Sequence, residues 1–157
     1  MRIGFGYDSH RFAEGRPLVL GGVMIPFEKG LAAHSDGDVL IHAIIDALLG
    51  AAALGDIGSH FPDTDEKWKG ADSTELLAEV VREIRGAGYA IGNIDATVIC
   101  EQPKLRPYVD AIRNRLSQLL NLSTSQLSIK GKTNEKMDDV GAGLGIEVHA
   151  VALLEPL

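Results

Sequence analysis

The chain reads as one domain of the α+β class, residues 1–157, and three observations support that reading. Alternation of side-chain type, the mark of a strand with two distinct faces, occurs near both ends, in Arg2–His10 and Ile146–Leu154. Apolar residues at helical spacing fill three interior stretches, and two more strand-like runs, Tyr89–Cys100 and Leu127–Glu135, flank the last of them. A length of 157 residues is normal for one domain and sufficient for a real core.

The first strand is expected to place Ile3, Phe5 and Tyr7 on one face and Gly4, Gly6, Asp8 and His10 on the other. Asp8 and His10 are then a pre-aimed carboxylate and imidazole, with room left beside them by the two glycines. Alone, such a pair is as readily a solvated strand end. Residues 11–33 carry Gly15, Pro17, Gly21, Gly22 and Pro26, so they are expected to form short strands and turns with no chemistry of their own.

From His34 to Asp46 the chain holds two histidines and three aspartates within thirteen residues, then runs almost wholly apolar through Ala51. A polar, glycine-containing cluster feeding an Ala/Leu/Ile run predicts a loop entering a buried helix, with Ser35 or Asp36 as N-cap. At about 100° per residue, Ile41, Ile44, Leu48 and Ala52 share one side, while Asp38, His42 and Asp46 share another. His42 is thereby held in a fixed direction inside the helix, with Asp36 and Asp38 capping the turn or supporting the site. The competing reading, a polar stripe on a surface helix, conflicts with the apolar remainder.

The loop Gly55–Asp65 is dense in Gly, Asp and Pro; Asp56, Asp63 and Asp65 suit hydrogen bonds from sugar hydroxyls, and His60 is a spare ligand. A second helix opens near Ala71, turns Leu76, Leu77, Val80, Val81 and Ile84 inward, and ends at Gly86 and Gly88. Ile94, Ala96, Val98 and Cys100 share one face of the next strand. Glu101–Pro107 is then a rigid basic turn in which Lys104 and Arg106 hint at contact with an anion or a base. A third helix near Tyr108–Leu120 turns Ile112, Leu116, Leu119 and Leu120 inward. Lys132, Thr133 and Glu135 offer a cation, a hydroxyl and a carboxylate within four residues, suited equally to a phosphate with Mg²⁺ or to a solvated strand end. Gly141, Gly143 and Gly145 spell G-x-G-x-G but precede a strand, so they are no dinucleotide fingerprint and read as a flexible hairpin-type loop.

Composition narrows the function. A formal net charge of −7 argues against nucleic acid as a partner. A phosphorylated substrate would have to meet local positive charge from metal ions, helix N-termini or a few lysines. The single cysteine, Cys100, excludes an internal disulfide and a cysteine-based zinc site. No apolar run is long enough to cross a membrane, and Met1–Gly4 reads as a strand rather than a signal peptide, so the protein is expected to be soluble and cytoplasmic.

Asp8, His10 and His42 form the one convincing metal constellation. Two imidazoles and a carboxylate suit Zn²⁺, and three protein ligands leave a fourth position open for chemistry. The residues alone support a Lewis-acid site beside a phosphate- or sugar-binding loop, without naming the reaction.

Four motifs carry a resemblance: Gly4-x-Gly6-x-Asp8-x-His10; His34-Ser35-Asp36-Gly37-Asp38 with His42; Asp56-Ile57-Gly58 through Phe61-Pro62-Asp63-Thr64-Asp65; and Lys132-Thr133-Asn134-Glu135-Lys136. In this order and spacing the chain resembles the 2-C-methyl-D-erythritol 2,4-cyclodiphosphate synthase family from Met1 to Leu154. The resemblance implies a mixed β-sheet with helices packed on one face, in a homotrimer built around a central axis with active sites between subunits. It implies Zn²⁺ on Asp8, His10 and His42, and Mg²⁺ (or Mn²⁺) on Glu135. Asp56 and Gly58, with Ile57 between them, would meet the ribose, and Phe61, Pro62, Asp63, Thr64 and Asp65 would close over the substrate. The backbone around Cys100, Pro103, Lys104, Leu105 and Arg106 would read cytosine from the adjacent chain, which also supplies Lys132, Thr133, Asn134 and Glu135. Ser9 and Ser35 complete the implied substrate contacts, and His34 and Thr133 would position phosphates or stabilise the transition state.

The implied reaction is intramolecular attack of a 2-phosphate on the β-phosphorus of a cytidine-diphosphate methylerythritol, releasing CMP and closing a cyclic diphosphate in non-mevalonate isoprenoid precursor synthesis. Such chemistry needs positioning and charge neutralisation more than a protein nucleophile. Many family members carry an aromatic residue and an arginine where this chain has Asp139 and Ala142, and an acid where it has His149. With the positions of Phe5 and Tyr7, these line an axial cavity that holds an isoprenoid diphosphate in relatives, so this chain is expected to lack that clamp, or to bind through His149 alone. The alternatives are a zinc-dependent phosphohydrolase and a non-enzymatic nucleotide-binding module.

Overall fold

A computed structural model describes residues 1–157. The first strand, β1 (Arg2–Ala13), is followed by the short strands β2 (Leu18–Leu20), β3 (Val23–Ile25) and β4 (Gly30–Leu31). Next come the helices α1 (Val39–Ala52), α2 (Ile57–His60) and α3 (Ser73–Gly86), then β5 (Tyr89–Ile99) and α4 (Val109–Leu120). The strand β6 (Leu127–Lys132), the single-turn α5 (Asp138–Gly141) and β7 (Gly145–Pro156) complete the chain.

One mixed sheet runs in the order β4-β1-β7-β5-β6, and β2 pairs with β3 as a separate hairpin. Only β5 and β6 are parallel, joined across the sheet by α4 as a parallel pair requires. Because β5 stands between β6 and β7, the glycine-rich segment before β7 is a crossover, and the hairpin expected there does not form. Its glycines are needed for close approach: a Cβ on Gly141 would stand 2.3 Å from the Lys136 carbonyl carbon, and one on Gly145 would stand 2.6 Å from His10 O.

Strand alternation sorts the sheet residues as their pattern predicts. Ile94, Ala96, Val98, Val148, Ala150 and Ala152 face inward and are buried, and α1, α3 and α4 pack on that side. On the other side Ile3, Phe5 and Val151 remain 75%, 61% and 43% exposed, an apolar sheet face with no cover from its own chain.

Every α1 residue except Asp46 and Gly50 is buried, so α1 is an interior helix and the surface-stripe alternative is excluded. It lies against β1 because Gly4 and Gly6 present bare backbone: a Cβ on either would stand 1.9 Å from a carbonyl oxygen of α1, that of Ala47 or of Ala43. The room left by the glycines is thus taken by a helix. The N-cap of α1 is Asp38 rather than Ser35 or Asp36, since only Asp38 directly precedes the first turn and accepts from Ile41 N at 3.0 Å. Its carboxylate also accepts from Gly21 N and Gly22 N at 2.9 and 2.8 Å, which ties the β2–β3 turn to the helix entrance. Burial raises the Asp38 carboxyl to about 6, while these three backbone donors oppose the rise.

Candidate active site

The close contact of α1 with β1 delivers His42 onto the residues that β1 carries. Asp8 Oδ2 lies 2.9 Å from His10 Nε2 and 3.1 Å from His42 Nδ1, and the two imidazole nitrogens are 3.2 Å apart. Four tetrahedral ligands on zinc, at bonds of about 2.0–2.1 Å, are spaced about 3.3 Å from one another. The triangle therefore fits a divalent cation after opening by a few tenths of an ångström, and its chemistry, one anion and two imidazoles, matches the ion.

Electrostatics prepare the same site. Burial raises the Asp8 carboxyl, but hydrogen bonds and charge from His10 and His42 outweigh it and bring the group down to about 2. Burial pulls His42 downward, and the hydrogen bond and charge of Asp8, helped by Asp38 and Asp36, lift it above the ordinary imidazole value. Without metal, a proton on His42 balances Asp8; a bound cation replaces that proton.

The far side of the His42 ring is held as well. His42 Nε2 lies 2.8 Å from Ser73 Oγ and 3.2 Å from Ser35 Oγ. The Ser73 hydroxyl in turn donates to Asp36 Oδ1, and Ser73 N donates to Asp36 Oδ2 at 3.0 Å. Asp36 thus supports the ligand, one of the two roles its position suggested.

The triangle opens into a cavity of about 440 Å³ that His34, Ser35, Ile57, Gly58, Phe61, Pro62 and Asp63 also line. Asp56 borders this loop as the N-cap of α2, its Oδ1 accepting from Ser59 N and Oγ at 2.8 and 2.7 Å. Asp65 meets His34 through its backbone: its carbonyl oxygen is 3.1 Å from His34 Nε2. Thr64 lies exposed between Asp63 and Asp65. His60 is not a ligand, because its Nδ1 faces Glu83 at 3.2 Å and its Nε2 donates to Leu54 O at 2.8 Å. Ser9 points to the opposite face of β1 and borders a different hollow with Arg11, Asp139 and Glu147.

A second cavity, of about 550 Å³, gathers Cys100, Pro103, Lys104, Leu105 and Arg106 with Lys130, Lys132 and Thr133. Lys130 is paired with Asp95 at 2.6 Å, and the three remaining cations, Lys104, Arg106 and Lys132, against the lining carboxylate of Asp110 make it a basic concavity of an acidic chain. Burial pushes the Cys100 thiol up to about 11, so it stays neutral and is no nucleophile. Asn134 and Glu135 follow β6 in a turn where Glu135 takes φ 52°. Glu101 Oε1 holds that turn by accepting from Asn134 N at 2.8 Å and Lys136 N at 3.3 Å. No residue lines both cavities.

Several supporting residues were not legible in the sequence. Arg16 donates to Ala33 O at 2.7 Å and to Ser35 O, fixing the backbone on both sides of His34 from a segment with no expected role. Trp68 lines the metal-side cavity and packs edge-on against Phe61 with ring centroids 4.9 Å apart. Asp46 accepts from Ile57 N at 2.7 Å; its four-residue spacing from His42 was the one signal that it faces the site.

Comparison with known proteins agrees in sequence and in shape. A model of the YgbB family matches residues 1–155. The 2-C-methyl-D-erythritol 2,4-cyclodiphosphate synthase of Laribacter hongkongensis is 59% identical over 155 residues, 99% of this chain and 96% of that protein. The bifunctional IspDF from Campylobacter jejuni superposes with a TM-score of 0.96 at 42% identity, over 99% of this chain and 42% of that longer one. A 2C-methyl-D-erythritol-2,4-cyclodiphosphate synthase in its CDP-bound form superposes with a TM-score of 0.90 at 42% identity, over 98% of this chain and 100% of that one. With a family match along nearly its whole length, close relatives and a common fold, the chain belongs to the YgbB family.

Proposed function

We propose that this chain converts 4-diphosphocytidyl-2-C-methyl-D-erythritol 2-phosphate to 2-C-methyl-D-erythritol 2,4-cyclodiphosphate and CMP, a step of non-mevalonate isoprenoid precursor synthesis. The observation that carries the reading is the Asp8–His10–His42 triangle at the mouth of a cavity walled by the 57–63 loop, in a chain whose relatives bear the name of that synthase. An oxygen of the 2-phosphate attacks the β-phosphorus, a new P–O bond closes the ring, and the bond from the β-phosphorus to the bridging oxygen breaks with CMP as leaving group. Zn²⁺ held by Asp8, His10 and His42 supplies Lewis-acid neutralisation of phosphoryl charge when bound.

The chain's own groups do the positioning. His34 and Ser35 face the cavity beside the triangle and orient phosphate oxygens; Asp56, Ile57 and Gly58 take the ribose; Asp63 and its neighbours cover the substrate. The basic cavity takes the cytosine on the backbone around Cys100–Arg106, and Lys132 and Thr133 take the diphosphate, with Mg²⁺ (or Mn²⁺) on Glu135. Alignment for in-line displacement is the main catalytic device, consistent with a neutral Cys100 and the absence of any need for a nucleophile.

The two half-sites occupy separate concavities of one chain, and the sheet face bearing Ile3, Phe5 and Val151 is bare. Both facts support a homotrimer in which the bare faces meet on the axis and each metal-side cavity is completed by a neighbour's basic cavity. On the same face His149 packs against Tyr7 and Phe5, with ring centroids 5.1 and 5.9 Å apart, which would set these three rings near the proposed axis. No helix is long and apolar enough to cross a membrane.

Product analysis by ³¹P NMR, with CMP measured in parallel, tests the proposal. Equal amounts of CMP and cyclic diphosphate are expected. Free phosphate in place of the cyclic product would identify a phosphohydrolase, and tight nucleotide binding without turnover would identify a binding module.

A further inference from the structure

Ser73 is completely buried, yet its hydroxyl lies between two polar groups, the Asp36 carboxylate and His42 Nε2. A hydroxyl has one proton to give. Asp36 is an anion that also takes Ser73 N at 3.0 Å and Asp38 N at 3.0 Å, so its carboxylate is fixed in place and is the stronger acceptor for that proton. With its proton committed to Asp36, Ser73 Oγ has only lone pairs to offer His42, and Nε2 must bring the hydrogen to the 2.8 Å contact.

Resting on the metal reading of the triangle, we infer that Ser73 and Asp36 are positioning residues that hold His42 as its Nε2–H tautomer and thereby commit Nδ1 to the metal. The other neighbour of Nε2, Ser35 Oγ, is farther at 3.2 Å and accepts from Gly37 N at 3.3 Å. Ser35 also borders the cavity, whereas Ser73 is sealed from it, so Ser73 keeps its geometry while substrate comes and goes. Ser73 is moreover the first residue of α3, so the same contact sets that helix against the metal ligand on α1. Groups that brace a ligating imidazole in this way carry a measurable share of metal affinity.

Two readouts test the pair, neither of them activity. In zinc competition against a chromophoric chelator, Ser73→Ala should bind the ion about 10–100-fold more weakly than wild type. Asp36→Asn, which keeps the buried serine and covers the case in which Ser73→Ala does not fold, should also weaken binding. In ¹⁵N NMR of the zinc-loaded protein, where the ion takes the place of a proton between Asp8 and His42 Nδ1, wild type should show a protonated His42 Nε2 whose hydrogen exchanges slowly with water, and both variants should show that hydrogen exchanging faster. Zinc affinity within twofold of wild type in the folded variants, or a zinc-loaded wild type with the hydrogen on Nδ1 and the ion on Nε2, would overturn the inference. Failure of wild type to take up zinc at all would overturn the metal reading and the inference with it, an outcome distinct from weak binding in the variants alone.

Discussion

Gly6 and Ala43 share a space that no side chain can enter: a Cβ on Gly6 would stand 1.9 Å from the carbonyl oxygen of Ala43, the residue next to His42. Gly6→Ala must push α1 off the sheet. We expect a loss of at least about 1–3 kcal/mol in denaturant unfolding, together with weaker zinc binding, because His42 moves with its helix. Unchanged stability and affinity would contradict the packing described for α1.

Removing a ligand should cost more than removing a group that braces one. His42→Ala and Asp8→Asn are each expected to lower zinc affinity and turnover by more than about a hundredfold. Metal content by atomic absorption and CMP release check this. Wild-type turnover in a zinc-free His42→Ala protein would end the catalytic assignment of the triangle.

The charge pairing of the triangle predicts how the metal-free protein responds to pH. Asp8 is lowered from 3.8 to about 2, so its contribution is present above 3.8 and lost as pH falls towards 2. His42 is raised from 6.5, so its contribution is present below 6.5 and lost as pH rises through its higher folded value. The difference in melting temperature between metal-free wild type and Asp8→Asn should therefore peak between about pH 4 and 6.5 and shrink on both sides. Zinc loading should release protons and restore stability at the alkaline end, as a pH-stat and a melting series would record.

Asp46 links the helix that carries a metal ligand to the turn proposed for the ribose. Asp46→Ala frees Ile57 N and should weaken CDP binding about tenfold in calorimetry, while zinc content stays at wild type. Asp46→Asn, whose side-chain oxygen still accepts, should recover most of the affinity. Loss of zinc in Asp46→Ala would show that the carboxylate serves the metal instead.

The bare sheet face predicts assembly. Sedimentation should give a trimer, and Phe5→Glu, which puts charge on a side chain 61% exposed in the single chain, should give smaller species. Native mass spectrometry of the assembled protein should find no retained isoprenoid diphosphate, since position 142 is an alanine and His149 is packed against Phe5 and Tyr7.

The residues that announce the site in the sequence are those whose spacing is tied to a regular element. Asp8 and His10 share a face because strands alternate, and His42 has a fixed direction because helices repeat. Gly4 and Gly6 signalled room beside Asp8 and His10, but period alone does not say that a helix fills the space. Arg16, Trp68 and Ser73 were silent for another reason. Each reaches its partner through a loop or from a distant element, and no local pattern records such a meeting. The N-cap was misplaced for a related reason: several residues upstream of α1 have suitable side chains, and the position of the turn at Gly37, φ 77°, decides among them. The hairpin expected before β7 failed because strand order is a property of the whole sheet.

The separation of the two cavities has a consequence for mixtures of defective chains. A chain lacking His42 keeps its basic cavity, and a chain lacking Lys132 and Thr133 keeps its metal side. Neither forms a complete site with copies of itself. In the proposed trimer, assembled at random from equal amounts of both, roughly a quarter of the junctions would unite two intact halves, since each junction would draw one half from either neighbour. Two inactive preparations, unfolded together and refolded, should therefore regain about that share of activity, and two such alleles in one cell should complement each other.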